Sequence, residues 1–482
     1  MNQEIDNIYD NKLHEECGVF GIASTNRDSS DAARVTYMGL FALQHRGQEG
    51  CGIAVNDSGV ISCKKGQGLL TDVFTGESID KLIGSSAIGH CRYSTMGGSS
   101  LDNVQPIAVS HIKGNLAIAH NGNIVNPGAL REEIELLGGI FHGTGDSEII
   151  AYTIVAERLR RPSIEEAVKS AMHRIKGAYS LVAMSPRKMI AARDPNGFKP
   201  LSIGRLGEDY IVASETCAID AVGGEYVRDI EPGEIIVIED GKLTSLDAGL
   251  ELRRSYCSFE FLYFSRPDSI FSGIGVDWAR REAGKRLAIE TGVDADIVVA
   301  VPDSGVSAAG GYAEASGLPN TVGLIKNRYI GRTFIAPSQG QRERDVRLKL
   351  NPLRANLTGK RVVLIDDSIV RGTTSARIVK AVREAGATEV HFRSSAPPFL
   401  YPCYFGIDVP DRDKLIAVGR TKEELAKLLG ADSVDFLSHE TLSDILEGAG
   451  CPICKACFTG DYPIDLPKEP DEKIFQRPII QI

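Results

Sequence analysis

Two adjacent carboxylates end one of the most apolar stretches of the chain. Asp366 and Asp367 follow the run 361–365 and precede a loop of small residues, 368–374, from which a helix begins at about Thr373. The backbone N–H groups and hydroxyls of such a loop can hold a terminal phosphate, and the helix N-terminus adds a favourable field. Two carboxylates beside a phosphate suit ribose hydroxyls and a magnesium ion. A solvated acidic turn is the alternative, but the apolar strand and the Gly-Thr-Thr helix start favour a phosphate site.

Cysteine is the second residue type whose placement suggests chemistry. Cys17 follows two glutamates and opens a strand-like run, CGVFG. A cysteine at such a position is more often packed than reactive, so its neighbours must decide between the two interpretations. Four of the other cysteines lie in apolar or strand-like contexts and are interpreted as scattered buried thiols, namely Cys51, Cys63, Cys91 and Cys217.

Three further cysteines recur at intervals of three in CPICKACF, as Cys451, Cys454 and Cys457. Cys257 and Cys403 lie far away in the sequence. Four thiolates can hold a zinc ion or an iron–sulfur cluster. Unrelated cysteines are a poor explanation, because a CxxCxxC pattern is unusual in a reduced compartment. The spacing alone does not choose between Cys451 and Cys454 as a ligand.

The elements that must position these residues change character near residue 260. Before it, the chain reads as many short strands with a few helices, which fits an α+β sandwich of strand layers covered by helices. After it, the rhythm becomes strand, loop, helix, as in a doubly wound parallel sheet whose ligands bind at the carboxyl ends of the strands. We predict helices near 31–46, 146–160, 163–175 and 373–386, and strands near 115–120, 179–184 and 234–238.

Composition narrows the class of protein. The 482 residues include 54 Lys plus Arg and 64 Asp plus Glu, for a net charge of −10, and 43% are hydrophobic. This is a globular composition, and its acidic balance argues against nucleic acid as a partner. No apolar run reaches the roughly 18 residues that a membrane span needs. Residues 1–16 hold five acids and one base and lack the pattern of a secretory signal, so we expect a cytoplasmic protein with reduced thiols.

The segment from Asp366 to Thr374 resembles the phosphoribosyl-pyrophosphate-binding motif of the type I phosphoribosyltransferases. By that resemblance the loop holds the 5′-phosphate, the acidic pair holds the ribose hydroxyls, and Ser304, Asp366 and Asp367 lie at a magnesium ion. A second loop, VPDSGVSAAGGYA, would take the pyrophosphate. The implied phosphoribosyl-pyrophosphate-binding residues are Asp303, Ser304, Lys326, Arg328, Arg332, Asp366, Asp367, Ser368, Arg371, Gly372, Thr373 and Thr374.

Residues 325–349 form a long basic stretch between these two loops. Such a stretch inside a compact domain is typical of a lid. A lid of this charge would neutralise the leaving pyrophosphate and exclude water. An exposed basic face is the alternative for the later arginines, whereas Arg328 and Arg332 flank Tyr329 and suit the lid better.

Four fragments of the first half, together with Cys17, resemble the class II glutamine amidotransferases, whose glutaminase domain is an N-terminal-nucleophile (Ntn) hydrolase. The fragments are QHRGQEG (44–50), GHCRYSTMGG (89–98), AHNGNIVN (119–126) and GTGDSE (143–148). By that resemblance Cys17 is the nucleophile, and Asn121 and the backbone N–H of Gly122 form the oxyanion hole. The implied glutamine-binding residues are Arg92 on the α-carboxylate, Asp146 on the α-amino group, and Thr95 and Arg46 in support.

A cysteine nucleophile needs a base for its thiol proton. A free α-amine, with a pKa of about 7.7–8.0, can accept and return that proton near neutral pH. An internal Cys17 has only an amide nitrogen. We therefore expect residues 1–16 to be a propeptide that is removed at the Glu16–Cys17 bond by attack of Cys17 on that bond.

Both halves together resemble the glutamine phosphoribosylpyrophosphate amidotransferases along nearly the whole chain. The cluster-bearing type of that family matches a cysteine before FEFLYFSRPDS, one in YPCYFGID and a closing pair in CKACFTG. The resemblance implies an α+β Ntn hydrolase sandwich (αββα) at 17–250, an α/β type I phosphoribosyltransferase domain at 251–450, and a cluster-binding segment and tail at 451–482. The implied ligands of a [4Fe-4S] cluster are Cys257, Cys403, Cys454 and Cys457.

The implied reaction is the first step of de novo purine synthesis. Glutamine-derived ammonia would cross an apolar passage to phosphoribosyl pyrophosphate and give 5-phosphoribosylamine, glutamate and pyrophosphate. The family further implies Mg²⁺, purine-nucleotide inhibitors and a homotetramer. A different glutaminase-coupled enzyme would lack the phosphoribosyl motif, and a non-enzymatic nucleotide sensor would not need the nucleophile constellation.

Overall fold

Two antiparallel sheets pack face to face in the first half of the chain. The computed structural model describes residues 17–26, 30–93, 100–327, 350–409 and 411–466. The first sheet has the strand order β11-β9-β10-β1-β4-β2-β3 and the second β13-β12-β8-β7-β6-β5. The first is built from β1 (Gly18–Ala23), β2 (Gly50–Asp57), β3 (Val60–Gln67), β4 (Ser86–Arg92), β9 (Ser202–Leu206), β10 (Asp209–Ala213) and β11 (Glu225–Asp229). The second is built from β5 (Ile107–His111), β6 (Gly114–Ile124), β7 (Gly177–Met184), β8 (Lys188–Arg193), β12 (Glu234–Glu239) and β13 (Lys242–Asp247).

Helices cover the outer face of each sheet. The core between the sheets includes Val19 and Ile88 from one and Val182 and Ile236 from the other. One outer core joins the first sheet to helices around Leu40, and the other joins the second sheet to helices around Ile154. This αββα arrangement confirms the predicted sandwich. The helices are α1 (Ala32–Ala42), α2 (Leu70–Val73), α3 (Gly76–Asp80), α4 (Pro127–Leu136), α5 (Asp146–Arg160), α6 (Ile164–Met172) and α7 (Thr216–Ala221).

The second half contains a four-stranded parallel sheet in the order β17-β20-β21-β22. Successive apolar residues of its strands belong to two different hydrophobic cores, Val363 to one and Leu364 to the other. Helices therefore cover both faces of the sheet, as the strand–loop–helix pattern predicts. The strands are β17 (Ile297–Ala300), β20 (Arg361–Asp366), β21 (Glu389–Ser394) and β22 (Ser433–Phe436). The helices are α8 (Val276–Thr291), α9 (Val306–Ser316), α10 (Arg354–Leu357), α11 (Thr373–Glu384), α12 (Lys422–Leu429) and α13 (His439–Gly448).

Short elements join the two halves to the C-terminal segment. A π-helical turn covers Glu260–Phe264, and helix α14 covers Ala456–Thr459. The remaining strands are β14 (Tyr256–Cys257), β15 (Ile270–Phe271), β16 (Ile274–Gly275), β18 (Leu324–Lys326), β19 (Leu350–Pro352) and β23 (Ile453–Cys454). β14 pairs in parallel with β23, so the C-terminal segment lies beside the start of the second half.

Several predicted features lie outside the described residues. They are the propeptide at 1–16, Thr95, Arg328 and Arg332, nearly all of the predicted lid at 325–349, and the tail from 467 onward. Among the described helices, none is both long and apolar enough to cross a membrane. The helix predicted over 31–46 ends earlier, at Ala42, because the chain then turns to bring Arg46 beneath Cys17.

Glycines on helices α8 and α9 allow the two helices to pack closely against each other. An added Cβ at Gly311 would lie 1.9 Å from the carbonyl oxygen of Arg281, and one at Gly284 would lie 1.9 Å from that of Ala308. Backbone oxygens cannot yield as a side chain can, so these glycines set the distance between the helices. At Gly310, the nearest atom to an added Cβ is the flexible end of the Arg281 side chain.

We therefore expect Gly311→Ala to reduce the free energy of unfolding by about 1–3 kcal/mol, through forced separation of the helices. Gly310→Ala is the matched control in the same helix, and it should be neutral or stabilising by up to about 1 kcal/mol. Chemical denaturation of both variants measures the difference. Equal stability of the two variants would contradict the close packing of α8 on α9.

Candidate active sites

Cys17 lies at the entrance to strand β1, against the end of strand β4. The pairing of Gly18 with Cys91 brings Tyr93 beside it. The thiol donates to the carbonyl oxygen of Tyr93 at 3.3 Å, and the N–H of Tyr93 donates to Cys17 Sγ at 3.4 Å. The side chain is buried, with 7% of its surface exposed. The sheet register therefore holds the sulfur at one fixed place.

A pocket of about 380 Å³ opens over Cys17. It brings together four residues that the sequence singled out for glutamine chemistry, Cys17, Arg92, Gly122 and Asp146. The other lining residues are Tyr93, Asp102, Asn103, Gln105, Ile107, His120, Gly145, Ser147 and Glu148.

Strand β6 carries the predicted oxyanion hole. The side chain of Asn121 is buried, and no described residue offers a hydrogen-bond partner to its Nδ2. A buried amide donor of this kind is costly unless a ligand satisfies it. Gly122 has φ +140°, and an added Cβ would lie 2.1 Å from the carbonyl oxygen of Ala178. Only glycine therefore fits where β6 passes the pocket.

Asp146 is the first residue of helix α5, where the helix field favours a carboxylate. Its Oδ2 accepts from the N–H of Ile124 at 3.2 Å, and its Oδ1 lies 3.7 Å from His120 Nδ1. Burial lowers the pKa of His120 and opposes its protonation. The carboxylate of Asp146 is therefore fixed by backbone and faces the pocket with a neutral histidine beside it.

Two pocket residues were missed by the sequence analysis. Gln105 accepts from the N–H of His120 at 2.7 Å and donates to its carbonyl oxygen at 3.2 Å, which holds strand β6 in place. Asn103 accepts from the N–H groups of Thr144 and Gly145 at 2.9 and 3.0 Å and fixes the loop before Asp146. Their only sequence signal is two amides in the loop NVQP, which resembles many turns.

Arg46 lies beneath Cys17 and is not among the lining residues of the described pocket. Its Nε donates to the carbonyl oxygen of Cys17 at 3.0 Å. Its terminal nitrogens donate to Glu260 at 2.6 and 2.9 Å and to Glu215 at 2.6 Å. Burial alone would raise the pKa of Glu215, but the charges of His45 and Arg46 hold it well below its usual range. The Arg46 side chain thus contacts the backbone of Cys17, the predicted nucleophile.

The acidic pair lies at the carboxyl edge of the parallel sheet. Asp366 and Asp367 are buried, with 1% and 2% of their surfaces exposed. Ser304, from the loop after the neighbouring strand, donates to Asp366 Oδ1 at 3.4 Å. Asp303 of the same loop accepts from Lys326 Nζ at 2.8 Å in an exposed ion pair. The two predicted loops therefore meet at one edge.

The phosphate loop is shaped by Gly372, which has φ +79°. This is a left-handed backbone conformation that L side chains rarely adopt, so the turn favours glycine. Helix α11 begins immediately afterwards at Thr373. Ser368, Arg371, Thr373 and Thr374 thus lie around the N-terminus of a twelve-residue helix, as a phosphate cradle requires.

Four of the C-terminal and distant cysteines converge. Cys257 lies opposite Cys454 in the pairing of β14 with β23. Cys457 interacts electrostatically with Cys403, Cys454 and Cys257. Burial raises the pKa of Cys454 to about 12 and that of Cys457 as well. Cys451 instead faces Ser272, Arg193 and Asp229.

As they stand, the described side chains form no group of three or more His, Cys, Asp or Glu residues arranged to hold a metal ion.

Comparison with known proteins identifies both halves. A family model described as a glutamine amidotransferase domain matches residues 90–221, and one described as a phosphoribosyl transferase domain matches residues 282–396. The amidophosphoribosyltransferase of Bacillus subtilis is 50% identical over 462 residues, which cover 94% of this chain and 95% of that protein. The chain belongs to the amidophosphoribosyltransferase family. The amidophosphoribosyltransferase of Archaeoglobus fulgidus is 49% identical and covers 94% of this chain and 99% of its own length.

Solved structures agree with this assignment. The glutamine phosphoribosylpyrophosphate amidotransferase of B. subtilis, complexed with ADP and GMP, matches with a TM-score of 0.88 at 48% identity. It covers 94% of this chain and 99% of that one. A structure described as the allosteric regulatory enzyme of purine biosynthesis matches with a TM-score of 0.89 at 48% identity. It covers 96% of this chain and 100% of that one. The chain is an Ntn-type glutaminase domain followed by a type I phosphoribosyltransferase domain, and its reaction is the first step of purine biosynthesis.

The unpartnered amide of Asn121 gives a direct test of the oxyanion hole. Asn121→Ala should reduce kcat for glutamine by about 10²–10³, the usual loss of one such donor, while synthesis from added ammonia continues. Asn115→Ala, near the start of the same strand and hydrogen-bonded to Ser110, is the control. Steady-state assays with each nitrogen donor measure the effect. A variant at position 121 with undiminished glutamine turnover would contradict the assignment.

Proposed function

We propose that Cys17, as the N-terminal residue of the mature enzyme, is the nucleophile that releases ammonia from glutamine. The observation that carries this is the shared pocket of Cys17, Arg92, Gly122 and Asp146, with the unpartnered donor of Asn121 beside it. The α-amine of Cys17 takes the thiol proton, and the sulfur attacks the side-chain amide carbon. Asn121 Nδ2 and the N–H of Gly122 hold the oxyanion. The amine then protonates the leaving ammonia, and water hydrolyses the thioester to glutamate.

The substrate is held by its α-carbon groups. Arg92 binds the α-carboxylate and Asp146 binds the α-amino group, since both line the pocket with opposite charge. Thr95 completes this set from outside the described residues. Arg46 supports glutamine chemistry through the carbonyl group of Cys17. The substrate is thus oriented with its amide toward the sulfur.

Removal of residues 1–16 exposes the amine that this mechanism uses. We expect the active enzyme to begin at Cys17, and Cys17→Ala to retain the leader, to lose all glutamine-dependent synthesis and to keep ammonia-dependent synthesis. Cys51→Ala, at a buried strand cysteine, is the matched control. Intact mass and assays with both nitrogen donors report the outcome. Active enzyme that retains its leader, or glutamine use by Cys17→Ala, would overturn the proposal.

The second site transfers the ammonia to phosphoribosyl pyrophosphate. Loop 368–374 holds the 5′-phosphate, through Ser368, Gly372, Thr373 and Thr374 with Arg371 at its side. The acidic pair accepts hydrogen bonds from the ribose hydroxyls, and Asp303, Ser304 and Lys326 lie at the pyrophosphate. Ammonia attacks the anomeric carbon as pyrophosphate leaves. Arg328 and Arg332, outside the described residues, add positive charge to the leaving group.

Ser304, Asp366 and Asp367 form an all-oxygen set that fits Mg²⁺. The two carboxylates lie buried side by side at the sheet edge, with the Ser304 hydroxyl on Asp366, which supports this assignment. A bound magnesium ion would supply positive charge to the pyrophosphate. Ser304 Oγ and the N–H of Asp367 donate to the Asp366 carboxylate and hold it in place. The carboxylate in turn orients the ribose whose hydroxyls it binds.

Ammonia released at Cys17 must reach the second site unprotonated. We propose that an apolar passage runs along the aromatic cluster at the start of the second half, where Phe259 packs edge to face on Phe264 and Phe399. The lid at 325–349 closes the second site over its substrate. Both features keep the nucleophile out of water.

The enzyme is of the iron–sulfur type, with a [4Fe-4S] cluster on Cys257, Cys403, Cys454 and Cys457. The convergence of these four thiols supports it, as does the separate environment of Cys451. The Phe405 N–H donates to Cys403 Sγ at 3.3 Å, a contact that suits a thiolate ligand. A cluster supplies the cationic iron that buried thiolates need. It would also tie the C-terminal segment, 451–482, to the preceding domain, 251–450.

Two neighbouring cysteines provide a matched test of this ligand set. Cys454→Ser should lower the iron and sulfide content of anaerobically purified protein, because it removes a ligand. Cys451→Ser should leave that content unchanged. Metal analysis and the visible absorption spectrum distinguish the two. Loss of iron from Cys451→Ser alone would transfer the ligand role to Cys451.

By family we further propose a cytoplasmic homotetramer that purine nucleotides inhibit. The B. subtilis relative was crystallised with ADP and GMP, which supports nucleotide control. The location is proposed from the family, although relatives in Arabidopsis thaliana are chloroplastic.

A further inference from the structure

A buried ion pair joins the nucleophile to the segment that follows the two antiparallel sheets. Glu260 begins the π-helical turn at the start of the second half, and none of its surface is exposed. Arg46 donates to its two carboxylate oxygens at 2.6 and 2.9 Å. The two residues are 214 positions apart in the chain. The same guanidinium donates through Nε to the carbonyl oxygen of Cys17 at 3.0 Å.

The planar geometry of the guanidinium group lets this ion pair fix the direction of the Arg46 Nε–H bond. Its five N–H groups lie in one rigid plane, so a two-point contact with a carboxylate fixes the direction of every other N–H. The fork on Glu260 therefore fixes where Nε–H points. That N–H holds the carbonyl group of Cys17, the residue whose nitrogen and sulfur carry the proposed chemistry.

We propose that Glu260 is a positioning residue for Cys17, so that a carboxylate of the second half aligns the nucleophile of the first. The inference rests on the proposed role of Cys17 as nucleophile. Glu260 does not touch glutamine. It acts by fixing the plane of Arg46, and thereby the backbone of Cys17.

Glu260 is itself held from the phosphoribosyl side. Ser265 Oγ donates to Glu260 Oε2 at 2.7 Å. Arg280, on helix α8, donates to the carbonyl oxygens of Phe261 and Ser265 at 2.8 and 2.7 Å and so secures both ends of the turn. Arg280 also interacts electrostatically with Asp367. Arg280 thus ties the turn that begins at Glu260 to helix α8 of the second half.

Glu260→Gln is the informative variant because it keeps the volume of the side chain. Glu215 still compensates the charge of Arg46, whereas the new amide presents N–H groups toward the guanidinium and breaks the fork. We expect kcat for glutamine to fall about tenfold or more, as small misplacements of a reacting group do. We expect KM for glutamine and the rate with added ammonia to stay unchanged, and alkylation of Cys17 by iodoacetamide to slow in parallel.

Glu234→Gln is the matched control. Glu234 is also a buried carboxylate with a two-point contact to an arginine, Arg228, at 2.7 and 2.8 Å, but it lies on strand β12 outside the pocket. It should leave both activities and the alkylation rate unchanged.

Three results would overturn the inference. They are a Glu260→Gln variant with normal glutamine turnover, an equal loss of the glutamine-dependent and ammonia-dependent rates, and an equal effect of Glu234→Gln. The second result would make the pair a structural link alone. Failure of the proposed nucleophile is recognised separately, since Cys17→Ala would then still use glutamine.

Discussion

The arrangement of the first site depends on the hydrogen bonds that the buried guanidinium group of Arg46 donates. This group lies where strand β1 begins, where Glu215 precedes helix α7 and where the second half starts at Glu260. Taking such a charge out of water costs several kcal/mol. The cost is offset only because its donors find acceptors with good geometry. Three separate parts of the chain must therefore be in place together for this residue to be stable.

The same dependence explains which parts of the site the sequence could predict. Asp366, Asp367 and the loop to Thr374 are contiguous, and their function follows from a strand end and a helix start that the local sequence encodes. Cys17 and Asn121 were recognised through fragments with a family resemblance. Gln105 and Glu260 were not, because each acts through one long-range contact that no local pattern records. The contacts of Arg46 could not be predicted for the same reason, since its partners Glu215 and Glu260 are set by tertiary structure.

Secondary structure could be predicted where the periodicity of apolar residues and the residues that end an element indicated the same boundaries. The helix at 146–160 and the strand that ends at Asp366 lie where the apolar pattern placed them. Helix α1 ended four residues early because residues 43–46 are needed as a turn under the nucleophile. Local propensity there gives way to a tertiary requirement, as is common for residues near a functional site.

The C-terminal segment has a consequence for the timing of biogenesis. Phe405 stacks on Phe198 at 4.3 Å between ring centroids, Asn123 donates to the carbonyl oxygen of Tyr404, and Ala456 belongs to the same small core. Part of the packing behind strand β6 is therefore supplied by residues that are synthesised long after the strand itself. Domains fold as they emerge during translation, but this one cannot complete that packing until synthesis has almost finished.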